Sequence, residues 1–205
     1  MATRSPTASR MTAEERREQL LDATKSVVAE RGFHAVSIEA VAREAGITRP
    51  IVYGHFRDLP GLLEALIDRE TARALAQLSE VLVEDLAHGG DPIEQLVASL
   101  RGYLQVVRSD PTTWRLALMP PEGAPEALHE RIASGRAAII GQLAGAVSSG
   151  LPGGRESPDP ELTARMLSAF ADEAARLQLT DPGRYPVERI LDHARWALGR
   201  FASSR

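Results

Sequence analysis

The residues best suited to chemistry lie between Gly32 and Leu63, in the tract GFHAVSIEAVAREAGITRPIVYGHFRDLPGLL. Thr48, Arg49, Tyr53 and His55 fall on one face of a short helical segment within it. A hydroxyl, a guanidinium, a phenol and an imidazole can donate or accept hydrogen bonds at base edges and phosphates, as a helix lying in a DNA groove requires. Covalent chemistry has no comparable basis. There is no G-x-S-x-G elbow, no G-x-x-x-x-G-K phosphate loop and no H-E-x-x-H, and the five histidines, at 34, 55, 88, 129 and 193, have no ligand spacing. Cysteine is absent, which excludes disulfides, thiolate metal sites and cysteine nucleophiles. No catalytic residue, metal or cofactor is therefore expected.

Those side chains need two helices and a tight turn to hold them. Gly32 can close a preceding helix, and Ser37 can accept from the free amides that open the next. The spacing of Ile38, Val41 and Ala42 predicts a helix from Ile38 to about Ala45, and Gly46 permits a sharp reversal. Thr48 is placed to cap a further helix with Pro50 in its first turn, running to about Phe56 with Ile51, Val52 and Phe56 available for packing. Upstream, Thr12 and Glu15 fit a capping box. Leu20, Leu21, Ala23, Val27 and Val28 then give the buried side of a helix from Ala13 to Arg31 that supports the pair.

The tract AVAREAGITRPIVYGHF, followed by the leucine-rich helix start at Leu62 and Leu63, resembles the TetR family of bacterial transcriptional regulators. The resemblance is specific over about residues 13 to 67; beyond them it covers length and all-helical layout. It implies that Ser37, Thr48, Arg49, Pro50, Tyr53 and His55 lie at the DNA surface. Many members place a lysine where this chain has Leu59 and use it on a phosphate, a contact for which Arg57 is the substitute here. It further implies a homodimer on a double-stranded operator, a small-molecule effector bound in the body, and an intersubunit four-helix bundle made by the last two helices.

At 205 residues with 43% hydrophobic composition, the chain can hold one large domain or two small ones. The formal net charge is −4, but residues 1 to 60 carry nine basic against eight acidic side chains, so the acidity belongs to the later part. Residues 1 to 12 are read as a flexible arm whose Arg4 and Arg10 are able to reach phosphates or a minor groove, a contact-free tail being the equal alternative. Residues 13 to 58 are read as the helix-turn-helix domain, and 59 to 205 as a helical effector-binding and dimerisation domain. The longest uncharged stretch, Ala137 to Gly154, contains five glycines and a proline and would be a poor membrane helix, so a soluble, cytoplasmic protein is expected.

Within the body, Asp58-Leu59-Pro60 opens a long helix that His88-Gly89-Gly90 ends, and Asp91-Pro92 and Asp110-Pro111 open two more. Further helices are predicted over Glu126 to Val147, from Pro160 to about Leu179, and from Pro186 to about Ala202, with a loop at Ser148 to Pro158. No strand-like alternation occurs, and the class is all-α. Tyr103, Trp114, Leu118 and Met119 flank the proline-rich, least regular segment and are the candidates for an effector lining, with plain core packing as the alternative. Arg101, Arg115, Asp172 and Glu173 are candidates to meet a polar ligand group. Gly141 and Gly145 suggest close packing or a cavity wall. The penultimate helix is apolar on two sides, more than a helix wet on one face needs, and fits the bundle that the resemblance implies, with a subunit seam at Leu167, Phe170, Ala174, Leu191, Ala194 and Leu198 and burial wholly inside one chain as the alternative. The rival reading is a small helical carrier or enzyme without sequence-specific DNA binding.

Overall fold

In the computed structural model, which describes residues 11–86, 91–121, 123–149 and 157–203, all regular structure among the described residues is helical. Arg4 and Arg10, the His88-Gly89-Gly90 stop, most of the Ser148 to Pro158 loop and the side chains of Leu82, Leu86 and Phe201 lie outside the described residues. The chain divides into two compact units, Met1–Ile67 and Asp68–Arg205.

The first unit holds α1 (Ala13–Arg31), a single 3-10 turn (Phe33–Ala35), α2 (Ile38–Glu44), α3 (Arg49–Tyr53) and the beginning of α4 (Leu59–Leu86). The expected capping box opens α1: the Thr12 amide donates to Glu15 Oε2 at 2.7 Å, and the Glu15 amide donates to Thr12 Oγ1 at 3.2 Å. Gly32 and Gly46 both adopt positive φ, 80° and 67°, and so break the chain after α1 and between α2 and α3 where a β-carbon would be strained. Leu20, Val27, Val28, Phe33, Val41, Val52, Phe56 and Leu62 close the core of this unit. The helix predicted to reach Phe56 ends at Tyr53, because the Val52 carbonyl accepts from both His55 and Phe56 and the ladder tightens into a turn at Gly54.

The boundary between the units falls inside α4. The second unit continues with α5 (Pro92–Ser109), α6 (Pro111–Leu118), α7 (Glu126–Ser149), α8 (Pro160–Thr180) and α9 (Val187–Ser203). The starts of α5, α6 and α8 follow one rule: an aspartate, at 91, 110 or 159, accepts from an amide of the first turn while a proline occupies the next position. α5 packs on both α8 and α9, and α7 packs on α8. Leu104, Val107, Ala175 and Leu191 are almost completely enclosed in the resulting core. Two bidentate pairs cross-link α5 and α9, Arg101 with Glu188 at 2.8 and 3.1 Å and Arg195 with Glu94 at 2.7 and 3.1 Å.

One small-residue expectation is corrected here. A β-carbon on Gly141 or Gly145 would meet nothing within 4 Å, so the G-x-x-x-G pair is not a place of close approach. The tight contact is at Gly135, where an added β-carbon would lie 3.2 Å from Leu75 Cδ2. The helix period puts Gly135 and Gly141 on different sides of α7, and only packing decides which side meets α4.

Candidate functional site

The first unit presents a compact polar face built by α2, the Gly46 turn and α3. Ser37 stands exposed at the N-cap of α2, its Oγ accepting from the Ala40 amide at 3.1 Å. Thr48 occupies the N-cap of α3 in extended conformation, but its side chain makes no cap bond. The reason is local: the second helical position is Pro50, which has no N–H, and the Ile51 amide is taken by the Thr48 carbonyl at 3.0 Å. Its exposed hydroxyl is therefore spared from capping. Arg49, Pro50, Tyr53 and Arg57 are also exposed, whereas His55 is half-buried in the turn after α3.

Ile51 departs from the predicted packing role. It is 40% exposed and stands among these polar groups, with Tyr53 55% exposed nearby in the same helix, while Val52 alone fills the core side of α3. A five-residue helix has one buried position, and sequence periodicity does not say which of two adjacent aliphatics takes it. Leu59 is half-buried at the start of α4, and Arg57 is the nearest exposed cation before it in the chain.

Side chains from α1 hold the ends of both helices, a feature the sequence reading missed. The Arg17 guanidinium lies over the Phe56 ring, 4.5 Å from its centroid, and reaches the His55 carbonyl at 3.5 Å. Gln19 Nε2 donates to the Ala45 carbonyl at the C-cap of α2, at 3.2 Å, while its Oε1 accepts from Arg16 at 2.6 Å. Carbonyls at a helix end have no intrahelical partner, so these donors satisfy groups that would otherwise need water.

The second unit contains a cavity of ≈ 90 Å³ among α4, α5, α6, α7 and α8. Ala74, Leu75, Leu78, Leu118, Ile132 and Ile139 are on its wall, with the rings of Tyr103 and Trp114 beside them. Those two rings meet edge to face, 5.1 Å between centroids at 76°, and Trp114 Nε1 donates to Gln77 Oε1 at 3.1 Å. Three of the four proposed lining residues, Tyr103, Trp114 and Leu118, thus come together, and Met119 does not line the cavity. Of the four charged candidates only Asp172 lines it. Arg101 is held by Glu188, Glu173 by Arg176 at 3.3 Å, and Arg115 donates to the Leu179 carbonyl at 3.0 Å.

Asp172 accepts from Arg136 at 2.6 Å and from the Tyr103 hydroxyl at 3.4 Å. Burial raises its carboxyl above the usual range, against the opposing charges of Arg136 and Arg176 and the Tyr103 hydrogen bond. The Tyr103 phenol is pushed far up as well, first by burial and then by the Asp172 charge. Arg131, also on the lining, pairs with Asp68 at 2.9 Å. Arg131 and Arg136 escaped the sequence reading because a charged residue on a long helix is ordinarily just solvated.

On the proposed subunit seam, Ala174, Leu191 and Ala194 are buried in this chain's own core, and Leu167 and Leu198 are half-buried. Phe170 is 39% exposed. Leu162, Met166 and Trp196 are more exposed still, at 54%, 68% and 60%.

A helix-turn-helix in one unit, followed in the same chain by a separate helical unit, is the fold of a DNA-binding regulator. The family described as bacterial regulatory proteins, tetR family, matches residues 20–66. The whole chain is similar to a TetR-like transcriptional regulator from Rhodococcus sp. RHA1, with 26% identity and a TM-score of 0.72 over 97% of this chain and 100% of the other. It is similar to a TetR-family transcriptional regulator from Rhodococcus sp., with 28% identity and a TM-score of 0.68 over 92% of this chain and 100% of the other. It shares its fold with the transcriptional regulator FadR from Bacillus subtilis, solved in complex with stearoyl-CoA, at 18% identity and a TM-score of 0.65 over 92% and 98% of the two chains. Residues 20–66 thus match the tetR family, and over nearly its whole length the chain is similar to TetR-like transcriptional regulators. Among the described residues, no helix is long and apolar enough to cross a membrane.

Proposed function

We propose that the chain is a homodimeric repressor that reads a roughly palindromic double-stranded operator and leaves it when a small molecule fills the second-unit cavity. The observation that carries this reading is the exposed row on the helix-turn-helix: Thr48, Arg49, Pro50, Ile51 and Tyr53, with Ser37 before them and Arg57 after. Arg49 is placed to pair with guanine and Ile51 to meet a thymine methyl group, the two contacts that carry sequence information. Ser37, Thr48, Tyr53, His55 and Arg57 are assigned to the backbone, where they fix register.

Two such units in a dimer would read half-sites about 34 to 36 Å apart, one helical turn of DNA. The exposed apolar residues Leu162, Met166 and Phe170 on α8 and Trp196 on α9 support a subunit seam on these helices. The cavity and the stearoyl-CoA held by a regulator of this fold support an effector site in the second unit. An effector moves such an equilibrium from 1:99 to 99:1 only if it prefers the non-binding conformer by about 5.5 kcal/mol.

Selection of bound sites from random DNA, with and without a metabolite pool, tests the reading. A two-fold symmetric motif, recovered in lower yield with the pool present, is expected. Recovery of no enriched motif by the folded protein would instead favour a helical ligand carrier.

A further inference from the structure

We propose that the second-unit cavity takes a small organic cation: a protonated amine on a compact apolar body, its ammonium group held by Asp172 beside the Tyr103 and Trp114 rings. The proposal rests on this cavity being the effector site and adds the ligand's charge and size.

The decisive group is the carboxylate. The Asp172 side chain is only 16% exposed, and one of its oxygens takes Arg136 at 2.6 Å. The other has the Tyr103 hydroxyl at 3.4 Å, well beyond the roughly 2.7–2.8 Å of an ordinary O–H···O bond. An enclosed carboxylate oxygen with one long contact favours a stronger donor, and an ammonium provides charge and hydrogen bond together. The raised Asp172 carboxyl agrees with a charge that its neighbours compensate incompletely.

An anion has no equivalent place. Arg131 and Arg136 each already hold a carboxylate, at 2.9 and 2.6 Å, so an incoming acid would compete with those partners and stand against the Asp172 charge. The Trp114 N–H is spent on Gln77. By contrast, Arg136 is 45% exposed and can turn into water when another cation takes Asp172. The aromatic rings add a favourable surface for positive charge. A volume of ≈ 90 Å³ suits a compact hydrocarbon body.

Three probes with one branched five-carbon skeleton separate the head groups: isopentylammonium, isopentyl alcohol and isovalerate, titrated calorimetrically into the full chain. The ammonium should bind about tenfold or more tightly than the alcohol, as expected for a hydrogen bond to a charged group, and isovalerate no better than the alcohol. Asp172→Asn should erase the ammonium's advantage. Arg136→Gln should enhance it by removing the competing cation. That variant changes a half-exposed side chain and decides the matter even if Asp172→Asn does not fold. Tightest binding by isovalerate, ammonium binding weakened by Arg136→Gln, or binding by none of the three would overturn the proposal. Fluorescence anisotropy on a selected operator separates the two ideas. Asp172-dependent ammonium binding without DNA release keeps the ligand class and removes the effector reading, whereas release by isovalerate keeps the effector reading and overturns the ligand class.

Discussion

Arg49 and Ile51 are neighbours on a five-residue helix, yet the DNA reading gives them separable tasks. Arg49→Ala should cost about 1–3 kcal/mol of operator binding and relax preference at one base position per half-site, because a bidentate arginine distinguishes guanine from the other bases. Affinities measured on a panel of single-base operator variants check this, and a uniform drop across the panel would make Arg49 a phosphate contact. Gly46 acts through conformation alone. With φ at 67° and nothing within 4 Å of an added β-carbon, Gly46→Ala meets no clash and should destabilise the first unit by about 1–2 kcal/mol from backbone strain. Urea unfolding followed by helical circular dichroism gives the number, and an unchanged midpoint would mean that the turn relaxes to negative φ.

The helices are held at their ends and across their faces by different means. In the first unit, Thr12 with Glu15 starts α1, while Arg17 and Gln19 of the same helix satisfy carbonyls after α3 and α2. In the second, Arg101 with Glu188 and Arg195 with Glu94 join α5 to α9. These contacts carry a pH dependence of definite sign. Hydrogen bonding to Thr12 lowers the Glu15 carboxyl, and hydrogen bonding to Arg195 and Arg101 lowers Glu94 and Glu188, from an ordinary 4.5. The unfolded chain therefore binds more protons than the folded one in acid. The stabilisation from these three groups is complete above the unfolded value and is lost as pH falls from there through the lowered folded values. Asp172, whose carboxyl is raised, works in the opposite direction: the loss it causes appears as pH rises from 3.8 through the raised value. Urea midpoints should thus decline as pH falls below 4.5, and Glu94→Gln with Glu188→Gln should flatten that decline. An equally steep decline in the double variant would place the acid sensitivity elsewhere.

For the whole molecule, the assembly prediction turns on which residues of α8 face outward. Phe170 is 39% exposed in the single chain, so Phe170→Glu should leave the chain folded and separate the proposed dimer by burying a carboxylate at its proposed seam. Ala174→Glu, one turn further on at a position 4% exposed, should instead unfold the second unit. Light scattering at several concentrations and thermal unfolding distinguish the two. A folded Phe170→Glu dimer would move the interface off α8.

The sequence by itself determined the helix starts and the glycine turn, because these depend on contacts a few residues apart. An aspartate accepting from an amide two or three positions on, or a proline in a first turn, is legible without knowing the rest of the fold. Helical periodicity likewise marked the apolar faces of α5, α8 and α9. It did not say what would cover them. Only the tertiary structure turned Ile51 outward, placed Ala174, Leu191 and Ala194 in the second unit's own core, and brought Arg131 and Arg136 to the cavity that Tyr103, Trp114, Leu118 and Asp172 share. The physical reason is that burial and pairing belong to the partner as much as to the residue. A helix repeats every 3.6 residues whatever packs on it, and the partner comes from parts of the chain tens of residues away.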